Sequence, residues 1–230
     1  MKSFLPVLSI SFLLFVAAAC TPQKPILWKV TPTGLAGHST TVLGNPSQAA
    51  GRGTATAVAF DGVDDGLVTS FNEIANVDEF TVEVIFKPRA TTTATNREQH
   101  LVHIEDPANP NRRLSLELRI TDKNQWQAHF SVKSDNGQLN LMDASKTHPL
   151  DKWATMTLVY KDKKMTGYVN GMPEVNGELE FLPLPASAKT SIGASVDQRN
   201  WFNGEIETVR FFKTALLPKK YSEGIPSTTR

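Results

Sequence analysis

The chain between residues 153 and 216 consists of short β-strand patterns separated by tight-turn signals. Residues 153–160 are WATMTLVY, residues 165–171 are MTGYVNG, and residues 202–211 are FNGEIETVRF. Alternating apolar and polar positions rich in Thr, Val and Tyr are typical of half-buried strands, and Asn-Gly is a tight-turn dipeptide. This stretch therefore predicts antiparallel β-structure.

The order of these segments resembles the C-terminal half of laminin-G-like, concanavalin-A-like jelly-roll domains. In that family a Trp-led strand, a Tyr-Val-Asn-Gly turn, a Ser-Ile-Gly strand and a Gly-x-Ile-(Asp)-x-Val-Arg strand follow in this sequence. Two earlier segments match as well, AVAFDGVDD at residues 57–65 and FTVEV at residues 80–84. The resemblance covers roughly residues 50–217. It implies an all-β domain, a two-sheet antiparallel jelly-roll sandwich.

Periodicity along the rest of the chain agrees with this architecture. The strand FTVEVIF places Phe80, Val82, Val84 and Phe86 on one face, while Ile85 interrupts the polar face opposite. The sequence shows neither an amphipathic helix pattern nor an internal repeat, which favours a sandwich or jelly roll. Further strands are predicted at residues 55–60, 67–70, 100–104, 114–121 and 126–133, and loops at 34–53, 90–99, 106–112 and 133–139.

The N-terminus has the pattern of a secretory signal. Lys2 precedes an apolar run over residues 4–16, which is too short to span a bilayer, and Ala17-Ala-Ala then precedes Cys20. The Ala-Ala-Ala-Cys ending resembles a bacterial lipobox, in which the cysteine is lipidated; the alternative is an ordinary signal cleaved after Ala-x-Ala. We expect a signal peptide at residues 1–19, a lipidated Cys20 and tether at 20–25, the jelly roll at 26–217 and a tail at 218–230.

Charge and cysteine content limit the possible partners. The chain has 24 basic and 23 acidic side chains and one cysteine, so it offers neither the basic surface that nucleic acid requires nor an internal disulfide. Lipidation of Cys20 would anchor the chain in a bacterial cell envelope. Thr21 follows the cysteine, which by resemblance to enterobacterial lipoproteins favours the outer membrane.

The acidic turn DGVDD is the candidate metal site. Asp61, Asp64 and Asp65 could supply carboxylate oxygens to Ca²⁺, which takes six to eight oxygen ligands. The resemblance allows this because some members of the superfamily bind calcium at the sandwich rim. The alternative is a hairpin turn in which aspartates accept backbone amides.

Glu205 and Glu207 are candidate acid–base residues. Two positions apart in a strand, they would lie on one face with a spacing that glycosidases use. The resemblance to jelly-roll β-glucanases argues against catalysis, because those enzymes carry a third acidic residue on this face and Val209 stands there instead. The alternative is a structural role for both carboxylates.

The histidines offer a weaker catalytic pattern. His100 and His103 are three apart, which in a regular strand places them on opposite faces. Related lyases use a Gln-x-His strand, and Gln127-Ala-His129 has that spacing, but their Tyr-x-Lys partner has no match here. His129 is therefore a candidate through resemblance alone.

Glycan binding would use an aromatic side chain presented from a polar loop. Trp201 and, second, Trp126 have such surroundings, whereas Trp28 and Trp153 open strands and are expected in the core. The alternative for Trp201 is that its ring folds over the sandwich end. The polar residues beside Trp201 are Gln198, Arg199 and Asn200.

The sequence thus favours a lipid-anchored, non-catalytic module of the cell envelope that binds a glycan or another polymer through rim loops. One alternative is a structural or protein-interaction domain of an envelope complex. A second is a hydrolase or lyase that acts on glycans. All three hypotheses are drawn by analogy with other proteins of the same fold.

Overall fold

The described chain forms two antiparallel β-sheets packed face to face, as the sequence predicts. The structure is a computed structural model and describes residues 25–35, 37–90 and 96–218. Within these ranges no helix is long and apolar enough to cross a membrane. The predicted signal peptide, Cys20 and most of the C-terminal tail lie outside the described residues.

Seventeen strands follow one another along the described chain. They are β1 (Ile26–Thr31), β2 (Gly34–Leu35), β3 (Thr40–Leu43), β4 (Ser47–Ala50), β5 (Thr56–Asp61), β6 (Gly66–Thr69), β7 (Phe80–Pro88), β8 (Glu98–Asp106), β9 (Asn109–Ile120), β10 (Gln125–Ser134), β11 (Gly137–Leu141), β12 (His148–Pro149), β13 (Ala154–Lys161), β14 (Lys164–Val169), β15 (Met172–Glu178), β16 (Lys189–Ile192) and β17 (Asn203–Phe212).

The strands divide between the two sheets in a jelly-roll order. The first sheet runs β15-β14-β13-β7-β17-β1-β2, with β5 paired to β17 and β4 paired to β5. The second runs β11-β10-β9-β8-β16-β6-β3, with β12 paired to β10. In the second sheet β8, β9, β10 and β11 are neighbours both in sequence and in space, so they form a meander joined by hairpins.

The core lies between the sheets and is built by period-two alternation. Phe80, Val82, Val84 and Phe86 all point into it, as predicted, and each is completely buried. Ile85 points the other way but is also buried, at 1% exposure. Removing apolar surface of this kind from water supplies most of the driving force for folding.

Register shifts interrupt this alternation, and two of them bear on the candidate site residues. In β8, His100 pairs with Glu117 whereas Val102 pairs with Leu116, so Leu101 is the extra residue. In β17 the register against β7 shifts in the same way at Glu207. A bulge re-aims the side chains beyond it, and both bulges change which residues share a face.

Turn chemistry explains how the strands are joined. Asn170 and Gly171 join β14 to β15, and both have positive φ angles, 49° and 75°, as an Asn-Gly hairpin requires. The loops predicted at 106–112 and 133–139 are instead tight hairpins. Short strands β2, β3 and β4 occupy half of the region predicted as a loop at 34–53.

Candidate functional site: a polar groove on the second sheet

A polar groove of about 460 Å³ crosses the outer face of the second sheet. Strand alternation builds it, because β9 sends its leucines into the core and its polar residues outward. The loop between β16 and β17 closes one side. The lining residues are Glu98, His100, His103, Glu105, Pro110, Arg113, Glu117, Arg119, His129, Ser131, Gln138, Asn140, Ser195, Asp197, Arg199 and Asn200.

Glu117 lies at the centre of the groove, between two histidines on neighbouring strands. It pairs in register with His100 of β8 on one side and His129 of β10 on the other. Its Oε2 is 2.8 Å from Nδ1 of His129 and 3.0 Å from Nη1 of Arg119, while its Oε1 is 3.4 Å from Nε2 of His100. Ser115 donates a further hydrogen bond to Oε1. Four neighbours therefore hold this carboxylate in place.

This cluster keeps Glu117 ionised. Burial acts to raise the pKa of Glu117, but the hydrogen bond from His129 and the charges of His100 and His129 outweigh burial. The resulting pKa lies well below the ordinary range of a glutamate. Because a carboxylate only accepts, Nδ1 of His129 carries the shared proton and its Nε2 is left for other partners.

His100 and His103 lie side by side on the groove face, so the prediction of opposite faces is wrong. The bulge at Leu101 shifts the alternation and brings the two ring centroids to 5.1 Å. Burial lowers the pKa of His103 to about 3 and also lowers that of His100. Both imidazoles are therefore neutral near pH 7.

The hydrogen-bond partners define the state of each ring. Nδ1 of His103 accepts the Val196 amide at 3.0 Å, so the proton of the neutral ring is on Nε2. Nε2 of His100 contacts Nδ2 of Asn200 at 3.2 Å, while Nδ1 of His100 is buried and has no hydrogen-bond partner among the described residues. An unpaired buried polar atom is costly, and this one lies too deep for a ligand to reach it.

Neutral polar side chains form the far end of the groove. Ser131 donates to Oδ1 of Asn140 at 2.7 Å, and Gln138 donates to the same atom at 3.1 Å. These three residues come from β10 and β11, which pair in register here. They offer amide and hydroxyl groups for hydrogen bonding without adding charge.

The loop predicted to contact a ligand contributes part of the groove. Arg199 and Asn200 line it, as does Asp197, which pairs with Arg199. Gln198 belongs to the same loop but is exposed and does not line the groove. Two of the three polar residues predicted beside Trp201 thus lie in the groove lining, and the strands beside the loop supply most of the rest.

The two tryptophans predicted to contact a ligand lie outside the groove lining. Trp126 is 1% exposed, packs on Phe86 and donates from Nε1 to the Pro149 carbonyl at 3.1 Å, so the prediction of a ligand contact there is contradicted. Trp201 is half-buried, and its ring lies against Gly66 outside the groove lining.

The strand-opening tryptophans have different positions. Trp28 is in the core, as predicted, and donates from Nε1 to Glu73 at 2.6 Å. Trp153 is only half-buried, with Nζ of Lys87 5.4 Å from its ring centroid, so its assignment to the core is wrong.

Glu205 and Glu207 are held by cations on the first sheet, far from the groove lining. Glu205 pairs with Arg89 and with Lys87 at 3.2 Å, and Glu207 accepts from the Arg52 guanidinium and backbone amide, both at 2.8 Å. Burial acts to raise the pKa of Glu207, but the bonds from Arg52 lower it overall.

Val209 does not share the face that carries these two residues. The bulge at Glu207 turns Val209 into the core, where it is fully buried. The ion pairs give Glu207 and Oε1 of Glu205 a structural role, while Oε2 of Glu205 is buried without a hydrogen-bond partner among the described residues.

Asp61, Asp64 and Asp65 cluster at the β5–β6 turn, each with a carboxylate oxygen within 4.8 Å of the others. Asp65 accepts the amides of Asn45 at 2.6 Å and Asp61 at 3.0 Å. Burial raises the pKa of Asp65, with Asp61 and Asp64 adding to the rise against the two amide bonds. Carboxylate oxygens are suitable ligands for Ca²⁺. The two backbone amides already provide hydrogen-bond partners for the Asp65 carboxylate, so its position in the turn is also explained without a metal.

The groove residues that sequence reasoning missed share a detectable pattern. Arg113, Ser115, Glu117 and Arg119 alternate with three leucines, which indicates one wholly polar face of a long strand. Residues 127–131 repeat that alternation. The bulge that adds His100 and His103 to this face leaves no comparable pattern in the sequence.

Comparison with known proteins gives the family. A family model described as the concanavalin A-like lectin/glucanases superfamily matches residues 60–220. The chain therefore belongs to this superfamily. No curated protein sequence matches the chain.

Solved structures share the fold at low sequence identity. The heptameric SAP-like pentraxin of Limulus polyphemus has a TM-score of 0.57 at 17% identity, over 70% of this chain and 77% of its own. Domain 4 of the extracellular GH43 arabinanase of Geobacillus stearothermophilus, solved with arabinotriose, has a TM-score of 0.50 at 18% identity, over 77% and 83%. The NanB sialidase of Streptococcus pneumoniae gives 0.55 at 18% identity over 70% of this chain, which spans about a quarter (26%) of that enzyme.

Proposed function

We propose that this protein binds a glycan in the groove on the second sheet, without covalent chemistry. The observation that carries the proposal is the row His100–Glu117–His129, held in register across three strands inside a 460 Å³ groove. Rigid strands preorganise these side chains, which lowers the entropic cost of binding.

The chemistry of the lining supports a sugar ligand. Sugar hydroxyls both donate and accept hydrogen bonds, and the groove combines imidazole, amide and hydroxyl groups of both kinds. Membership of a superfamily that includes lectins agrees with this, as does a structural neighbour solved with arabinotriose. Fold alone does not define function, so the site carries the proposal.

A glycan array with matched loop variants tests this function. Asn200→Gly removes an amide that lines the groove and keeps the positive φ of 55° accessible. Gln198→Gly makes the same change two residues earlier, at φ 60°, outside the lining. We expect Asn200→Gly alone to weaken glycan binding, by about fivefold to tenfold. Equal binding by both variants, or no ligand for the wild type, would contradict the proposal.

The proposed setting is the bacterial cell envelope, through lipidation of Cys20. This part rests on the sequence pattern of the N-terminus, where Ala17-Ala-Ala precedes the cysteine. Metabolic labelling with a palmitate analogue should mark the wild type and not Cys20→Ser. Equal labelling of both would overturn the anchoring.

A second candidate function is a glycan-active enzyme that uses His129. One observation favours it: Glu117 orients His129 through Nδ1 at 2.8 Å, the arrangement in which a carboxylate positions a catalytic imidazole. Release of reducing sugar or unsaturated product, lost in His129→Gln, would support this function over binding alone. We expect no release from the wild type.

A further inference from the structure

We infer that the groove selects an uncharged, hydroxyl-rich sugar over an anionic one, reading its hydroxyls with His100, His103 and His129. This inference rests on the proposed function and names the class of glycan. It follows from the charges, the hydrogen-bonding states and the neutrality of the groups that line the groove.

The charge balance of the groove disfavours an anion. Its lining contains four carboxylates but only three guanidinium groups, which leaves one surplus negative charge when the histidines are neutral. Lys133 pairs in register with Arg113 but lies outside the lining. The acidic groups are Glu98, Glu105, Glu117 and Asp197, and the basic groups are Arg113, Arg119 and Arg199.

The three arginines are already engaged. Arg119 bridges Glu98 at 3.4 Å and Glu117 at 3.0 Å, and Arg199 pairs with Asp197. Arg113 donates to the Pro110 carbonyl at 2.6 Å. A sugar carboxylate or sulfate would compete with these contacts for the guanidinium groups.

One carboxylate in the groove is poorly compensated. The nearest basic nitrogen in an ion-pair position to Glu105 is Nε2 of His103, at 3.7 Å, and that ring is neutral. Burial and the neighbouring Asp197 raise the pKa of Glu105, while the charges of Arg113 and Arg199 act against that rise. An anionic ligand would meet this charge, which the two arginines offset only in part.

The histidines present donors and acceptors that suit hydroxyl groups. His103 offers a proton on Nε2, because its Nδ1 accepts the Val196 amide. In its neutral form His129 offers a lone pair on Nε2, because its Nδ1 donates to Glu117. Nδ1 of His100 is closed to the ligand, so His100 acts through Nε2, which the Asn200 amide contacts at 3.2 Å.

The neutrality of His100 and His103 denies an anion two further positive charges. The groups facing His100 are Glu98, Glu117, Arg119, Asp197 and His103, and burial outweighs the carboxylates among them in lowering its pKa. Neither ring therefore supplies a positive charge to a sugar carboxylate near neutral pH.

The test compares ligands that differ by one charge. The probes are a neutral oligosaccharide that the array identifies and the same oligosaccharide oxidised to the uronate at C6, titrated by calorimetry at low and high salt. We expect the neutral sugar to bind more tightly, by about tenfold or more, with little dependence on salt. Tighter binding of the uronate, weakened by salt, would overturn this inference and leave glycan binding intact.

Two variants test which groups cause the preference for the neutral sugar over the uronate. Glu105→Gln removes the poorly compensated charge and should narrow the gap between the two sugars, by about threefold to tenfold. His100→Phe should weaken the neutral sugar about tenfold, with His148→Phe, a histidine outside the groove lining, as its control. If the difference in affinity between the two sugars is the same in Glu105→Gln as in the wild type, the charge argument is overturned. If His100→Phe fails to fold, the affinity for the neutral sugar is measured with Asn200→Gly instead. This variant loses the Asn200 amide, which contacts the His100 ring in the wild type.

Discussion

At the scale of single residues, burying two imidazoles lowers the folding stability by an amount that depends on pH. His103 and His100 line the groove at 3% and 7% exposure, and burial disfavours their charged forms. Acid pH thus acts on side chains that we propose read the sugar, so binding and folding stability should respond together.

We predict that the protein loses stability as the pH falls from about 7.5 to 5.5. An unfolded histidine takes up a proton near pH 6.5, whereas folded His103 resists it down to about pH 3, so acid favours the unfolded chain. The expected loss is about 1 kcal/mol for His103 over this range, and the lowered pKa of His100 acts in the same direction. Urea unfolding at each pH measures it.

His103→Gln serves as the matched variant. Its amide oxygen can still accept the Val196 amide, but it has no proton to take up. The free energy of unfolding should therefore fall less steeply with acid than in the wild type. Parallel curves for the two proteins would show that His103 does not cause the slope.

At the scale of strands, close approach between the sheets depends on small residues. Gly167 in β14 faces the ring of Phe130 in β10, which belongs to the opposite sheet and is fully buried. A methyl group at Gly167 would collide with that ring. The glycine thus fixes how closely the first sheet packs behind the groove.

We predict that Gly167→Ala destabilises the protein by about 1–3 kcal/mol, as overpacking does in a well-packed core. Gly177→Ala in β15 is the control, because its methyl group would meet only the flexible ends of Leu139 and Leu141, at 3.0–3.1 Å. Thermal melts of both variants check this. A larger loss for Gly177→Ala would contradict the packing argument.

The sequence was most informative where residues repeat a local pattern. Alternation located β5 to β10 within a few residues, and the positive φ of Asn170 followed from Asn-Gly alone. Bulges were invisible because they depend on pairing with a distant strand. The sequence therefore did not reveal the groove, because His100 and His103 share its face only through the extra residue Leu101 in β8.

At the scale of the whole molecule, the acidic turn and the groove are separate features with separate tests. Asp61, Asp64 and Asp65 belong to the β5–β6 connection, and none of them lines the groove. Calcium binding at this turn stays a prediction. It would stabilise the fold by mass action without touching the sugar site.

If Ca²⁺ binds the turn, added calcium should raise the midpoint of thermal unfolding and EDTA should reverse the rise. Asp64→Asn should abolish the shift, because Asp64 is exposed and its carboxylate, unlike those of Asp61 and Asp65, is free of the amide bonds that shape the turn. Glycan affinity should stay the same throughout. An identical midpoint in calcium and in EDTA would rule out this site.

The meander of β8 to β11 concentrates the binding surface in one continuous piece of the chain. Residues 98–140 supply twelve of the sixteen lining residues, and only residues 195–200 come from elsewhere. If the groove binds the sugar as proposed, a single recombination event that exchanges this segment would transfer most of the binding surface at once and leave the first sheet, with its separate ion pairs, unchanged.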